Sequence, residues 1–196
     1  MKDIFQQIWE LALPYQDKRE DLGHAEVTLH YAQILLGLEG GDEDIVIPAI
    51  MLHDIGWSQL TQEEWLVVFN LNAKDEDKTA VQLKHQTAGV ELARTILSKV
   101  NYPKEMTDEI LEIISQHDTR DGFISKNEGL VRDADKLWRT SKVGFAASNA
   151  KRTITREQAI QRLETNLKKQ DAQNTLFSNS AKRIQNENML LLKRDS

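Results

Sequence analysis

The chain contains no cysteine among its 196 residues. It can therefore form no disulfide framework, no thiolate zinc site and no iron–sulfur cluster, and it has no cysteine nucleophile. Any metal ion that it binds must be held by nitrogen and oxygen donors. The sequence also lacks an early basic stretch followed by an apolar run, and none of its apolar runs is long enough to span a bilayer. We therefore expect a cytoplasmic protein that does not enter a membrane.

Positive charge is scarce as well. The formal net charge is −6 at pH 7 and the sequence pI is near 5.4, which argues against an extended surface for nucleic acid. A small phosphorylated ligand is compatible with this charge if a metal ion or a few well-placed Lys and Arg supply a local cation. The oligomeric state is left open by the sequence.

Only three prolines and nine glycines interrupt the chain, and its apolar residues recur mostly three and four positions apart. This spacing is typical of amphipathic helices, whereas the alternation typical of strands is scarce. We predict an all-α protein. A chain of 196 residues is also long enough to bury a core as a single domain.

Two helices are predicted, one before and one after a Gly-Gly turn. Apolar residues between positions 27 and 38 form the stripe of one helix, which Gly40-Gly41 should end by admitting left-handed backbone. A second helix is expected to begin near Asp42 and to run to the pair His53-Asp54. Pro48 fits this helix only in or near its first turn, because proline has no amide hydrogen.

The rest of the chain is predicted as helices joined by polar segments. Residues 70–78 read as a loop, and Thr61 and Thr155 each begin a capping-box pattern. The predicted helices are a long one from about residue 80 to 101, one over 105–117, one around 130–138 that carries Asp133 and Asp135, and two near the C-terminus.

The adjacent pair His53-Asp54 is the first candidate for chemistry. It offers an imidazole nitrogen and a carboxylate oxygen side by side at a helix end, and Gly56 lets the backbone turn there. Both side chains can reach one ion only if it lies near the helix terminus. Such a pair is weak evidence for a metal site when taken alone, because a histidine that only forms a hydrogen bond to the next helix would produce the same His-Asp sequence.

Two further segments change this interpretation, since His24 precedes the pair and Asp135 follows it on a separate predicted helix. The chain resembles the HD superfamily of metal-dependent phosphohydrolases, whose signature is a His, a His-Asp pair and a distant Asp. The segments that carry the resemblance are Arg19-Glu20-Asp21-Leu22-Gly23-His24, Ala49-Ile50-Met51-Leu52-His53-Asp54-Ile55-Gly56-Trp57 and Val131-Arg132-Asp133-Ala134-Asp135-Lys136-Leu137.

The resemblance implies a single HD-type helical bundle over residues 1–196, with a metal-binding core at about 20–140 and C-terminal helices at about 155–193. It implies one divalent ion (Mn, Mg, Fe, Ni or Zn), and a second is an open alternative. The four signature ligands would be His24, His53, Asp54 and Asp135. His30 is the alternative to His24, and Asp133 the alternative to Asp135. The sequence Ala134-Asp135-Lys136-Leu137 resembles the last motif of the family and therefore favours Asp135. Asp133 is then an outer partner of the site or a surface carboxylate.

His85 and His117 each stand on a predicted helix between the His-Asp pair and the last Asp. In some HD proteins that this chain resembles, two such histidines hold a second metal bridged by the Asp of the pair, or contact the substrate phosphate. Ordinary capping or surface histidines are the alternative. The sequence leaves mononuclear and binuclear sites equally open.

A phosphohydrolase acting on a small phosphorylated metabolite, with a nucleotide as one candidate, is the function that the resemblance implies. Asp54 could accept a proton from water or orient it, and Lys136, Arg120 and Arg19 are candidates to neutralise phosphate. Nucleoside monophosphate phosphatases of the family tend to carry an acid just after the pair, where this chain has Trp57-Ser58. We interpret Trp57, Trp65 and Trp138 as core residues.

Two other functions stay open from the sequence. One is a di-iron oxygenase, because some HD-fold enzymes use six His and Asp ligands to activate oxygen. The other is a non-catalytic module that keeps the fold and binds a nucleotide. An intact ligand set favours an enzyme over the second alternative.

Overall fold

The computed structural model describes residues 1–19, 21–70, 72–150, 154–173 and 175–194. Within these ranges the chain forms ten α-helices, three short 3-10 helices and no strand, so the all-α prediction is confirmed. The α-helices are α1 Asp3–Ala12, α2 His24–Glu39, α3 Glu43–Leu52, α4 Gln62–Phe69, α5 Asp75–Lys99, α6 Lys104–Gln116, α7 Lys126–Leu137, α8 Lys142–Asn149, α9 Arg156–Ala172 and α10 Asn179–Arg194. None of the helices described is long and apolar enough to cross a membrane.

The chain divides into two compact units. Unit 1 comprises Met1–Glu20 and Asp42–Asp121, and unit 2 comprises Asp21–Gly41 and Gly122–Ser196. In unit 1, α6 packs against both α3 and α5, and α1 packs against α3. Almost every residue of α3 is buried. This explains why its apolar residues follow one another along the sequence and do not recur only every three or four positions. The two helices that end in His-Asp pairs, α3 and α6, are therefore neighbours in one core.

Pro48 lies farther into α3 than predicted, since the helix begins at Glu43 with Asp42 as its N-cap. A proline at this position cannot donate to the carbonyl of Asp44, four residues earlier. The hydroxyl of Tyr102 donates to that carbonyl instead, at 2.6 Å. The helix continues through Pro48 because a side chain distant in sequence replaces the missing backbone bond.

Helix α5 begins at Asp75, within the segment predicted to be a loop. Its first turn carries Asp75, Glu76 and Asp77, and such acidic residues are favourable beside the positive end of a helix. Farther along, α5 approaches the 3-10 helix Ile55–Gln59 so closely that a Cβ at Gly56 would lie 1.9 Å from the carbonyl oxygen of His85. Only glycine fits there.

Unit 2 is built around α2 and α7, which pack against each other, with α10 against both. Gly40 ends α2 in left-handed backbone, as predicted from the Gly-Gly turn. A second cluster of buried residues joins α8, α9 and α10: Phe145, Ala159, Ile160, Leu167, Met189 and Leu192. Helices α1 and α8 were not predicted, whereas both capping boxes are present at Thr61 and Thr155.

Candidate metal centre

The His53-Asp54 pair stands where α3 ends, with His53 as the C-cap. The Nδ1 of His53 lies 2.8 Å from the carbonyl oxygen of Ile50. Because a carbonyl only accepts, Nδ1 carries the proton and donates, which leaves Nε2 as the acceptor nitrogen. That Nε2 lies 3.6 Å from Oδ2 of Asp54. This contact favours the tautomer that a metal ligand needs.

The same arrangement recurs at the end of α6. His117 is the C-cap, and its Nδ1 donates to the carbonyl oxygen of Ile114 at 2.9 Å. The next residue is Asp118, so the chain has a second His-Asp pair. In both pairs the backbone carbonyl of an isoleucine three residues earlier accepts from Nδ1 and orients the imidazole ring.

His85, from α5, completes a cluster of donors in unit 1. Its Nε2 lies 3.4 Å from Nε2 of His117. Oδ1 of Asp54 lies 3.4 Å from Nε2 of His117 and 3.8 Å from Nε2 of His85. Oδ2 of Asp118 lies 3.6 Å from Nε2 of His85 and 3.8 Å from Nε2 of His117. Asp54, His85 and His117 therefore form a group of donors that could hold a metal ion, and the Asp118 carboxylate lies beside both imidazoles.

The electrostatics of this cluster favour one positive charge. Burial, together with the neighbouring His117, lowers the pKa of His85 to about 3. Burial also disfavours charge on His117, but Asp118 and Asp54 outweigh it and raise the pKa of His117 to about 9. A divalent cation would meet the same electrostatic demand, and nitrogen with carboxylate oxygen is a donor set that such ions accept. The residues present thus fit a metal ion.

Asp54 is held in place by two side-chain donors. The indole Nε1 of Trp57 donates to its Oδ1 at 3.1 Å, and the guanidinium of Arg19 pairs with its Oδ2. Arg19 also lies over the Trp57 ring at 4.5 Å, and the same ring stacks on His85 with centroids 3.9 Å apart. Trp57 is buried, as predicted, but it also organises the donor cluster.

In unit 2, the other two signature residues lie together. Nε2 of His24 is 3.4 Å from Oδ1 of Asp135, and both side chains are at least partly buried. The ring of Trp138 meets the His24 ring edge-on, with centroids 5.1 Å apart. His30, the alternative to His24, is exposed. The structure therefore gives His24 a carboxylate partner and leaves His30 on the surface.

Asp133, the alternative to Asp135, has a structural role. Its Oδ1 accepts from the backbone nitrogen of Phe177 at 2.7 Å, and its Oδ2 accepts from that of Ser178 at 2.8 Å. Asp133 is fully buried, and burial raises the pKa of its carboxyl although these hydrogen bonds act in the opposite direction. It is not the surface carboxylate that the sequence allowed, because it anchors the segment that precedes α10.

The three candidate phosphate-binding cations have different surroundings. Arg19 lies at the donor cluster, whereas the guanidinium of Arg120 pairs with Glu112. Nζ of Lys136 donates to the carbonyl oxygen of Thr175 at 2.5 Å. Burial, with help from nearby Arg132, lowers the pKa of Lys136 to about 8. Of the three, Arg19 is the one that the structure places at the donor cluster.

A family model described as HD domain matches residues 22–140. The chain belongs to the HD domain family. HD domains bind divalent metal ions, and the family comprises metal-dependent hydrolases. The matched segment contains all four signature residues, together with His85 and the second pair, His117-Asp118.

Among solved structures, this HD domain is similar to a predicted HD superfamily hydrolase from an uncultured Thermotogales bacterium. The TM-score is 0.61 at 18% sequence identity, and the match covers 98% of this chain and 86% of that one. At this identity the likeness shows the shared fold. No curated protein matches the chain.

Asp118 is a carboxylate beside the donor cluster that the sequence analysis did not single out. A signal for it was present, because Ile50-Met51-Leu52-His53-Asp54 and Ile114-Ser115-Gln116-His117-Asp118 share the pattern Ile-x-x-His-Asp. In this pattern the backbone carbonyl of the isoleucine accepts a hydrogen bond from Nδ1 of the histidine. A comparison of the two segments would have pointed to Asp118.

Proposed function

We propose that this chain is a metal-dependent phosphohydrolase that acts on a small phosphorylated metabolite, with nucleotides as one candidate substrate class. The observation that carries the proposal is the convergence of Asp54 with two imidazole nitrogens, at 3.4 and 3.8 Å, in a chain of the HD domain family. Nitrogen and oxygen donors at such separations suit a divalent cation.

The proposed ligands follow the order of the family signature. We assign His24, His53, Asp54 and Asp135 to one ion, since the chain presents them as His, His-Asp and Asp. The tautomer of His53 and the pairing of His24 with Asp135 support this assignment. His85 and His117 would hold a second ion together with Asp54, or contact the substrate phosphate.

Bound at these residues, a divalent ion supplies a Lewis acid that acidifies water and offsets charge on phosphoryl oxygens. Asp54 is the residue we propose to accept the proton of the attacking water or to orient that water. Trp57 and Arg19 fix the direction of both Asp54 oxygens, so that this carboxylate does not need to reorganise during the reaction.

Recognition of the substrate phosphate is proposed for Arg19. Its guanidinium lies against Trp57 and beside Asp54, and guanidinium groups bind phosphate oxygens through two parallel hydrogen bonds. Lys136 and Arg120 pair with Thr175 and Glu112, neither of which belongs to the donor cluster. We therefore rank them below Arg19 as phosphate ligands.

The test is a panel of phosphoesters assayed with Mn²⁺, Mg²⁺, Fe²⁺, Ni²⁺ and Zn²⁺. Turnover by the wild type should require one of these ions, and Asp54→Ala should reduce it to background. Asp108→Asn is the control, because Asp108 is an exposed acid paired with Lys104. Absence of metal-dependent turnover, or full turnover by Asp54→Ala, would overturn the proposal. Two bound irons with oxygen consumption would indicate an oxygenase instead.

A further inference from the structure

The segment that carries Arg19 lies outside the part of the chain that the HD family model matches. That match begins at residue 22, whereas residues 13–19, which we call the arginine segment, follow α1 and end at Arg19. The guanidinium of Arg19 nevertheless pairs with Oδ2 of Asp54 at the end of α3, and the Arg19 side chain is only 16% exposed. Contacts between the arginine segment and the end of α3 must therefore fix its position.

The first of these contacts is made by Gln16. Its Nε2 donates to the backbone carbonyl oxygen of Met51 at 2.5 Å. Met51 lies in the last turn of α3, where carbonyl oxygens lack amide partners within the helix. The preceding carbonyl, that of Ile50, accepts from Nδ1 of His53. Consecutive carbonyls at one helix end therefore hold a proposed metal ligand and the arginine segment.

The path of the arginine segment is consistent with a fixed position. Its first residues form the 3-10 helix Leu13–Tyr15, which packs against the 3-10 helix Ile55–Gln59. The backbone then turns at Asp17, whose φ of 53° lies in the left-handed region that residues other than glycine seldom occupy. Such a conformation persists where surrounding contacts determine the path of the chain. The segment thus packs on the element that carries Trp57 before it reaches Arg19.

The second contact is made by Trp57. The guanidinium carbon of Arg19 lies over the Trp57 ring, 4.5 Å from its centre, and the ring of His85 stacks on Trp57 at 3.9 Å with 12° between the planes. Because His85 covers one face of the indole, Arg19 must lie on the other. Neither face is then left for a nucleobase. A guanidinium that lies over an aromatic ring can still donate from its N–H groups, which lie in its own plane.

We infer that Gln16 and Trp57 are positioning residues for phosphate recognition, which keep the Arg19 guanidinium beside Asp54, where a substrate phosphate can accept its hydrogen bonds. The inference rests on the proposed function, in which Arg19 binds the phosphate. Gln16 fixes where the arginine segment lies on α3, and Trp57 fixes where the guanidinium lies. A side chain that is held before the phosphate arrives loses less conformational freedom on binding.

The experiment measures the binding of inorganic phosphate to the full chain by calorimetry at saturating Mn²⁺, so that it does not depend on turnover. Arg19→Gln should weaken binding by about 10–100-fold, the cost of losing hydrogen bonds between charged groups. Gln16→Ala should weaken it by about 3–10-fold through lost preorganisation. Trp57→Leu should weaken it by about as much through the lost cation–π contact.

Matched controls are available in unit 1. Gln6 is an exposed glutamine of α1 that pairs with Glu10, and Trp65 is another buried tryptophan. Gln6→Ala and Trp65→Leu should leave the phosphate affinity unchanged. Gln16 is partly exposed, so Gln16→Ala carries the test if Trp57→Leu does not fold.

Two comparisons separate positioning from a loss of structure. In the Arg19→Gln background, Gln16→Ala and Trp57→Leu should cause no further loss, because no guanidinium is left to position. Trp57→Phe keeps a ring for Arg19 and should bind phosphate nearly as tightly as the wild type, although its hydrogen bond to Asp54 is lost. Equal losses with and without Arg19 would overturn the inference, as would phosphate binding that does not depend on Arg19 or on Gln16.

These outcomes separate the two proposals. Phosphate binding that depends on Arg19, Gln16 and Trp57, in a protein that hydrolyses no phosphoester, would support the positioning role and contradict the phosphohydrolase. Metal-dependent hydrolysis with phosphate binding indifferent to Gln16 and Trp57 would do the reverse.

Discussion

The pair His53-Asp54 ends α3 and the pair His117-Asp118 ends α6, and each histidine donates to the carbonyl of an isoleucine three residues earlier. The segments after the two pairs are unlike each other. The residues after Asp54 form a buried 3-10 helix against α5, whereas those after Asp118 form a polar turn. The Asp54 side chain is 11% exposed and the Asp118 side chain 27%.

This contrast shows that the same dipeptide is fixed by different means. Asp54 is held by Trp57 and Arg19 and lies beside a close contact between backbones. Asp118 is held through the hydrogen bonds between Gln86 and Thr119. The first pair therefore depends on close packing together with two polar contacts, whereas the second depends on a polar link that a single substitution can remove. Substitutions near each pair test this difference.

Gly56→Ala is expected to have the largest effect. The new Cβ would lie 1.9 Å from the carbonyl oxygen of His85 and 2.5 Å from the backbone nitrogen of Gly89, so α5 would have to move. We expect the free energy of unfolding to fall by more than about 3 kcal/mol, at the upper end for overpacked sites. Denaturation by urea measures this loss.

The control is the corresponding position after the second pair. Arg120→Ala removes the ion pair with the half-exposed Glu112 and should cost less than about 1 kcal/mol. Similar losses in the two variants would show that packing does not distinguish the pairs.

Trp57→Phe should weaken the binding of a divalent ion by about 10–100-fold, the usual cost of losing an outer partner of a ligand. Phenylalanine cannot replace the hydrogen bond from the indole to Asp54. Competition titration with Zn²⁺ measures the change. Trp65→Phe, at another buried tryptophan, is the matched control, and equal affinities in the two variants would contradict the role given to Trp57.

Thr119→Val should destabilise the protein by about 1–2 kcal/mol, because the buried amide of Gln86 loses its partner. Thermal or urea unfolding measures the effect. Thr95→Val, on the exposed face of α5, should change stability by less than about 0.5 kcal/mol. If Thr119→Val were as mild as its control, the polar link would not be what fixes the second pair.

Tyr102→Phe tests the hydrogen bond to the Asp44 carbonyl that lets α3 continue through Pro48. Helix α6 contains no proline and needs no such bond. Loss of the Tyr102 hydrogen bond should cost about 1 kcal/mol in the free energy of unfolding. The cost should shrink when Pro48 is first replaced by alanine, because an amide can then reach the Asp44 carbonyl. Equal costs in the two backgrounds would contradict this explanation.

Much of the fold could be predicted from the sequence, because helical periodicity and end signals are local. The end of α2 at Gly40 and the capping box at Thr61 follow from neighbouring residues. The start of α5 at Asp75 was missed because its first turn has no apolar stripe. The position of Pro48 could not be derived, since it depends on Tyr102, which belongs to another part of the chain.

The candidate site was predictable only in part. The resemblance to HD proteins predicted that His85 and His117 act together, and the structure places their Nε2 atoms 3.4 Å apart. Their role as ligands stays a prediction, as does that of the four signature residues. Asp118 was missed because the signature names one His-Asp pair. The contacts of Arg19 could not be foreseen either, because they depend on how α1 and the segment after it fold back on Trp57.

Asp133 and Asp135 stand on the same helix, and only one of them has chemistry assigned to it. Asp133 anchors the backbone at Phe177 and Ser178. A chain shortened before Phe177 would leave this carboxylate without either of its amide partners, two residues from a proposed ligand. The C-terminal segment should therefore be treated as part of the scaffold that supports α7. A protein trimmed to residues 22–140 would lose a support of the helix that carries Asp135.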